Sequence, residues 1–446
     1  MVKDRKKDFV PPRDMWAVNA DLDFNEPLCE DDPRYVDTEK GRGEFNFKRL
    51  LTTLGVDVNS GELRAPREKS YNLFCGHRGC GKSTELRRLS NYLNRDNLFF
   101  VIFLDSVLDL DTNNLHYPDV LLALADRLLV KLRDEKVKVE EVLLENLNRW
   151  FSEKILKSER LKDFSMEVQA DAGIKTGIPF LVKLSAMLTS KIKTGATYKE
   201  EIRQVVKNTF SEFAFAFNQL VSAVESALAK AGKSKKLLFI IDGTDRLNTE
   251  DSHRLFIQDV HQLQQVESNF LYCAPIHLLY EGNQVQQGFN HFVLPMIKIT
   301  HQNSKEKFEE GFEVLREIIY KRADKELFES EAIVDLLIEN SGGNPRDLLK
   351  LLLYALQESD MERFTKPNME KAIHNLANDY RKFLNTDDYK ILYEIDHSKS
   401  VKKNSEQIRR LLYNLAILQY NNYWWSSHPV IRNLEGYPTG PYMAWL

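Results

Sequence analysis

The chain has 446 residues, a length that implies roughly two to four domains. Hydrophobic residues make up 43% and aromatics 11%, which excludes a disordered or fibrous chain. The 62 Lys and Arg against 66 Asp and Glu leave a net charge of −4, which excludes a protein that coats nucleic acid along its whole surface and still allows a local basic face.

Residues 1–45 are charged and punctuated by Pro and Gly, and are expected to form an arm that wraps the next domain. No apolar leader opens the chain, and no apolar run is long enough to span a bilayer. Cys29, Cys75, Cys80 and Cys273 have neither CxxC nor Cys/His metal spacing. A cytoplasmic protein without membrane contact is expected.

Strand and helix signals then alternate over 46–302. Tyr71–Cys75, Leu98–Leu104, Leu237–Ile241, Asn269–Cys273 and Phe292–Ile299 are short apolar runs, the pattern of a parallel sheet covered on both faces. About 130 residues separate the second and third, more than one crossover helix needs. Within them, at about 140–200, lies an insertion expected to carry a hairpin. Met166, Val168, Ala170, Ala172 and Ile174 alternate with polar residues, and a second short strand follows the Gly177-Ile178-Pro179 break. Beyond it Ile202, Val206, Phe210, Phe213, Phe217, Leu220, Val224 and Leu228 keep helical spacing. Residues 303–365 read as a helical lid. KPN at 366–368 marks a boundary, and 366–446 gives helices at 369–384, 387–396 and 404–418 and then an aromatic hairpin, the winged-helix order.

Gly76-His77-Arg78-Gly79-Cys80-Gly81-Lys82-Ser83, followed by Thr84, is a full GxxxxGK[ST] match between a predicted strand and a predicted helix. The glycines let backbone N–H groups wrap a phosphate chain, and the helix offers its positive end. Lys82 is placed for the β- and γ-phosphates and Ser83 for Mg²⁺. In LLFIIDGTDRL, a buried strand ends at Asp242 on the same side of the sheet, which assigns Asp242 to the metal. Asp245 is either the group that orients or deprotonates the attacking water or a helix cap.

GHRGCGKST, LLFIIDGTDRL and GGNPRDLLKLL, in this order, resemble the AAA+ and STAND ATPases, with the NACHT-like and origin-recognition-complex-like branches as the best match. The resemblance covers roughly residues 45–360 and, with the winged helix, extends to 446. It implies ATP and Mg²⁺ as ligands and a parallel-sheet P-loop NTPase core. Two departures stand out. Asp242 is followed by Gly243 where most AAA+ proteins have Glu, and Arg246 replaces the last acid of the NACHT-like DGxDE, so the catalytic base stays open. The resemblance also implies that Pro345 packs on the nucleotide, that Arg346 reaches the γ-phosphate from the lid, and that His428 touches the β-phosphate of bound ADP. For Arg346 the alternative is an exposed position in a helix start, with Pro345 at its first residue. For His428 it is a structural histidine packed on Trp424 or Trp425. Arg316 and Arg322 are either arginine fingers for a neighbouring subunit or solvated helix charges. Lys399, Lys402, Lys403, Arg409 and Arg410 form a modest basic cluster.

Two functions follow. One is an ATP-binding, slowly hydrolysing switch that controls assembly into homo-oligomers and with an effector protein, in a prokaryotic defence or regulatory system. The other is a DNA-binding AAA+ ATPase, a loader or transposition-type regulator. ATP-dependent oligomerisation is expected because, apart from Arg346, no third positive group is evident in cis.

Overall fold

Apolar residues on both faces of successive strands force the chain into a sheet covered on two sides. In the computed structural model this sheet has five parallel strands in the order β4-β5-β6-β3-β7. A two-residue antiparallel pair, β1 (Val56–Asp57) and β2 (Glu62–Leu63), precedes it. The sheet strands are β3 (Ser70–Gly76), β4 (Phe99–Asp105), β5 (Lys236–Asp242), β6 (Asn269–Pro275) and β7 (Asn290–Leu294). The structure describes residues 9–438, apart from 30, 44, 96, 159–160, 163, 167–176, 195, 234–235, 303, 305, 402–403 and 422.

Alternation along β3 sends Leu73 and Cys75 to one face and Phe74 to the other. The first face lies under helices that fall between β4 and β5, among them Tyr117–Asp134, Gly177–Thr194 and Phe210–Lys230. The second face lies under the phosphate-loop helix Lys82–Leu93. The helical stripe from Ile202 to Leu228 is buried throughout, as its spacing predicted.

Four expectations are corrected. The second strand of the insertion is the helix Gly177–Thr194. Phe180, Leu181, Leu184, Leu188 and Ile192 are buried at helical spacing, and Pro179 sits in the first turn, where a missing N–H costs nothing. Met166, the first residue of the other expected strand, is helical, and 167–176 lie outside the described residues. The last core strand stops at Leu294 rather than Ile299, because Pro295 cannot donate to a ladder. The segment beyond it bonds three separate elements: Met296 N–H donates to Gln419, Ile297 N–H to Gly343 and Lys298 N–H to Gly41. The first C-terminal helix, Lys366–Arg381, starts at KPN rather than at 369, with Pro367 in its first turn and Thr365 and Asn368 forming a reciprocal cap. Finally, the third C-terminal helix is shorter than expected, Glu406–Tyr413, and Leu415 turns through φ +64° before the next strand.

A separate core joins Glu309–Tyr320, Glu331–Ser341 and Pro345–Gln357 to Lys366–Arg381, Thr386–Ser398 and Glu406–Tyr413. Met15 and Val18, from the short helix Met15–Asp21, belong to it too. The chain ends its described part with a two-stranded antiparallel hairpin, β8 (Ile417–Asn421) and β9 (Trp424–Ser427). Its Leu418, Tyr420 and Trp424 pack into the core of the phosphate-loop face. Among the described residues, no helix is long and apolar enough to cross a membrane.

Candidate functional site

The loop from Gly76 to Gly81 leaves β3 and enters the helix Lys82–Leu93 through Gly79 at φ +78° and Gly81 at φ +101°. Both lie in the left-handed region, which is why glycine stands there. Lys82 is 3% exposed and spends all three of its donors inside the protein. Its Nζ lies 2.8 Å from Asp245 Oδ2 and donates to the carbonyls of Gly76 at 3.0 Å and His77 at 2.6 Å. Burial would push the Asp245 carboxyl up, but Lys82 more than offsets it and holds the group below the usual carboxylate range.

Asp242, at the end of β5, behaves in the opposite way. Its Oδ1 accepts from Ser83 Oγ at 3.0 Å and from the Gly243 N–H at 2.8 Å. Burial first, and then the neighbouring Asp245, push its carboxyl up to about 6. A divalent cation shared by Ser83 and Asp242 would relieve that repulsion, so these two side chains fit Mg²⁺. Cys273, at the end of β6, brings its thiol to the same place, with one ligand atom of each of Asp242, Asp245 and Cys273 within 4.8 Å of the others.

The pH consequence of Asp242 has a definite sign. Its folded-state value of about 6 lies above the ordinary 3.8 of an aspartate, so the native state holds the proton more tightly and this group's contribution weakens as pH rises from 4 to 6. Asp242→Asn should therefore raise the thermal stability of the nucleotide-free protein at neutral pH, by up to about 3 kcal/mol. The advantage over wild type should shrink towards pH 4 in paired melting curves. Equal melting temperatures of the two proteins across that range would contradict the buried, repelled carboxylate.

The lid and the C-terminal hairpin both touch the loop itself. Asn344 Nδ2 donates to the Arg78 carbonyl at 3.1 Å, and the Arg346 N–H donates to the Gly79 carbonyl at 3.3 Å. A Cβ on Gly79 would stand 2.6 Å from Arg346 Cβ. The His77 ring, 1% exposed, accepts the Gln419 N–H on Nε2 at 2.9 Å and so ties the loop to β8. Burial, and then Lys82, hold this imidazole down at about 3, so it is the neutral acceptor that the bond requires. Arg78 lies over the Tyr413 ring at 4.2 Å and donates to its hydroxyl at 2.6 Å. The side chains of His77 and Arg78 thus face the C-terminal region. Cys80 is buried, with Sγ 3.8 Å from the Leu294 carbonyl.

A cleft of about 930 Å³, counting its open mouth, extends from Gly79, Gly81, Lys82, Ser83 and Thr84. Its far wall is apolar, from Phe24, Pro27, Leu28, Val36, Ile318 and Leu349, with Pro345 beside them. That size and lining suit a nucleotide. Four of these six wall residues come from the N-terminal arm, whose place here sequence reasoning missed. The Leu28 N–H donates to Thr84 Oγ1 at 3.2 Å, and Arg87 Nη1 to the Pro27 carbonyl at 2.8 Å. Arg42, 2% exposed, binds the carbonyls of Cys80 (2.6 Å) and Pro295 and the Thr38 hydroxyl. The GRG around it marked a turn but gave no sign of a buried guanidinium.

No family model matches the sequence, and a search of curated proteins finds no relative. Solved structures with a similar course of chain do exist. One is the Walker-type ATPase PABY2304 of Pyrococcus abyssi, with TM-score 0.40 and 13% identity, over 92% of this chain and 98% of that one. Another is the RuvB Holliday junction branch migration motor of Thermotoga maritima, with TM-score 0.37 and 12% identity, over 94% and 100%. A third is the ORC1 protein of Aeropyrum pernix in complex with DNA, with TM-score 0.36 and 11% identity, over 94% and 95%. Likenesses this distant assign nothing. The P-loop NTPase core rests on the parallel sheet, the loop geometry and the Asp242 strand.

Three expected site residues are placed differently. His428 is fully buried outside the cleft, with Nε2 3.1 Å from Asp347 Oδ2 and its ring stacked on Tyr380 at 4.5 Å. It packs on neither tryptophan: Trp424 stacks on Tyr420, and Trp425 donates to the Tyr280 hydroxyl. Arg316 is held by Asp335 and Glu309 within the lid. Arg322 is no solvated charge. It is 8% exposed, lines the cleft, and is pulled down to about 10 by burial and then by Arg34. With Arg42, Arg246 and Arg346 also on the cleft, positive groups in cis are plentiful, and the stated ground for ATP-dependent oligomerisation falls away. In the basic cluster, Arg410 is bound to the buried Asp388, and Lys402 and Lys403 lie outside the described residues.

Proposed function

We propose that the chain binds a nucleoside triphosphate, ATP on the motif resemblance, and hydrolyses it slowly as a switch. The observation that carries this is that the lid, the arm and the C-terminal hairpin all bond directly to the phosphate loop or its helix. A loop that reorganises around phosphate must move those partners, which is what a switch requires.

In this proposal the division is the arm at 1–45, the core at 46–302, the lid at 303–365 and a winged helix at 366–446. The phosphates lie on the loop N–H groups from Gly76 to Thr84, and Lys82 leaves Asp245 to meet them. Ser83 and Asp242 would hold Mg²⁺, which would supply neutralisation of phosphate charge. Asp242 or Asp245 receives or orients the attacking water, and Lys82 release leaves Asp245 free for that task. Pro345 and Arg346 sense the bound nucleotide from the lid. His428 acts at one remove, by holding Asp347, the residue after Arg346, against Tyr380. Membership of the STAND group, homo-oligomers, an effector partner and a defence or regulatory role complete the proposal on the resemblance alone. The DNA-binding alternative is weakened by the commitment of Arg410 to Asp388.

The test is binding of fluorescent ATP and ADP analogues with and without Mg²⁺, followed by phosphate release. Binding that is saturable, slow turnover, and a change in proteolytic cleavage at the lid between the two nucleotides are expected. Absence of binding would end the proposal. Salt-sensitive, ATP-dependent retention on DNA would favour the alternative.

A further inference from the structure

The phosphate end of the cleft gathers more positive charge than its own carboxylates balance. Lys82, Arg78, Arg246 and Arg346 all line it. Of the nearby carboxylates, Asp245 is committed to Lys82, and Asp347 to Tyr380 and His428. Among the described residues, neither Arg246 nor Arg346 has a side-chain hydrogen bond or a direct ion pair, Asp245 and Asp347 reach them only through space, and the buried Nε atoms of Arg78 and Arg346 have no acceptor. Like charges crowded together without direct ion pairs are costly unless an anion joins them.

We propose that Arg246 serves in cis as the arginine that steadies charge on the γ-phosphoryl group, so that one chain carries a complete hydrolytic site. This rests on the nucleotide-binding function proposed above. Arg246 closes the short turn Thr244–Arg246, directly after β5 and Gly243. Its neighbour Asp245 contacts Lys82, so the backbone of Arg246 is fixed within one residue of the lysine's partner. Its own carbonyl accepts from Arg78 Nη2 at 3.1 Å, which ties that turn to the phosphate loop. The side chain is exposed at the mouth of the cleft and free to turn inward. Arg78 is already engaged by Tyr413, and Arg346 travels with the lid. The backbone of Arg246 stands on the sheet core directly after β5, so only its side chain has to turn to meet a phosphate.

In the step it serves, a water oxygen bonds to the γ-phosphorus while the bond from that phosphorus to the β,γ-bridging oxygen breaks. The electron pair leaves on the nucleoside diphosphate, and the proton shed by the water ends on inorganic phosphate. Charge grows on the bridging oxygen and is spread over the phosphoryl oxygens, where a guanidinium donates two hydrogen bonds.

The experiment compares full-length wild type with Arg246→Ala and Arg246→Lys, measuring ATP and ADP affinity by anisotropy and phosphate release per chain over about a hundredfold dilution. Expected for Arg246→Ala are affinities within about threefold of wild type and turnover lower by on the order of 10³-fold. Arg246→Lys should recover part of that loss, and wild-type turnover per chain should stay constant on dilution. Unchanged turnover in Arg246→Ala overturns the proposal, and so does wild-type turnover per chain that collapses on dilution, because the missing group would then come from a second copy. If wild type binds no nucleotide, the phosphate-site proposal falls and takes this one with it. Loss of the Arg246 effect alone leaves nucleotide binding standing.

Discussion

Lys82→Ala is expected to damage the nucleotide-free protein as well as its ligand binding, and the two effects should separate in a double variant. Lys82 is the counter-charge of Asp245, with the pair buried at 2.8 Å. Removing the lysine strands a carboxylate away from water, and breaking a buried pair from one side costs about 3–5 kcal/mol. Asp245→Asn in the same chain removes the stranded charge. Most of the stability should return, while affinity for ATP stays low because nothing replaces the cation at the phosphates. Melting temperature and ATP affinity of the wild type, both single variants and the double variant give the full cycle. A Lys82→Ala protein as stable as wild type would refute the internal pairing, and undiminished ATP binding would refute the phosphate site. Asp245→Asn alone should be milder than Lys82→Ala. Lys82 would keep its carbonyl partners and could still be satisfied by phosphate.

The resulting picture is of a lysine stored on an internal carboxylate until a better anion arrives. A phosphate chain entering the loop competes with Asp245 for Lys82. Once displaced, Asp245 sits charged beside Asp242, and the raised Asp242 carboxyl shows that this neighbourhood already resists a second negative charge. A cation at Ser83 and Asp242 offsets the repulsion, so nucleotide and Mg²⁺ should bind better together than apart.

Much of this was legible in the sequence. Mostly apolar runs ending at Cys75, Leu104, Ile241 and Cys273 located four of the five core strands, because strands buried on both faces are rich in apolar residues and a polar one such as Asn72 must be hydrogen-bonded inside. The second expected strand of the insertion turned out to be the helix Gly177–Thr194, because proline reads as a break unless it falls in a helix's first turn. The placement of Lys82 and Ser83 on the helix after β3 follows from local spacing alone. What spacing cannot carry is long-range geometry. His77 meeting Gln419, and Leu28 meeting Thr84, join residues far apart in the chain. Arg322 reads in the sequence as an ordinary helix charge, but it lies in the turn after Glu309–Tyr320, where the arm beside it makes it a buried wall of the cleft. The same arm supplies Phe24 and Val36, which composition marked as loop.

Gly343→Ala is expected to be the most damaging single methyl in the lid. Gly343 has φ +73°, a conformation that costs a residue with a side chain roughly 1–2 kcal/mol. A Cβ there would also stand 1.8 Å from the Ile297 carbonyl oxygen and 2.8 Å from its carbon, backbone atoms that cannot swing aside. The Ile297 N–H donates to the Gly343 carbonyl at 3.3 Å, so the two segments are held face to face and any relief must push the lid away. Overpacking of this kind adds about 1–3 kcal/mol, for a total of about 3 kcal/mol or more. Asn344, the next residue, and Arg346, three residues on, hold the carbonyls of Arg78 and Gly79. The displaced lid should therefore release the phosphate loop as well. Gly232→Ala is the control, since Gly232 shares a φ of +70° but has nothing within 4 Å of its Cβ position. It should cost only about 1–2 kcal/mol and leave nucleotide affinity alone. Melting curves and ATP titrations of both variants separate backbone strain from collision. Equal losses of stability would mean that the contact with Ile297 contributes nothing, and unchanged ATP affinity in Gly343→Ala would mean that lid and loop are not coupled.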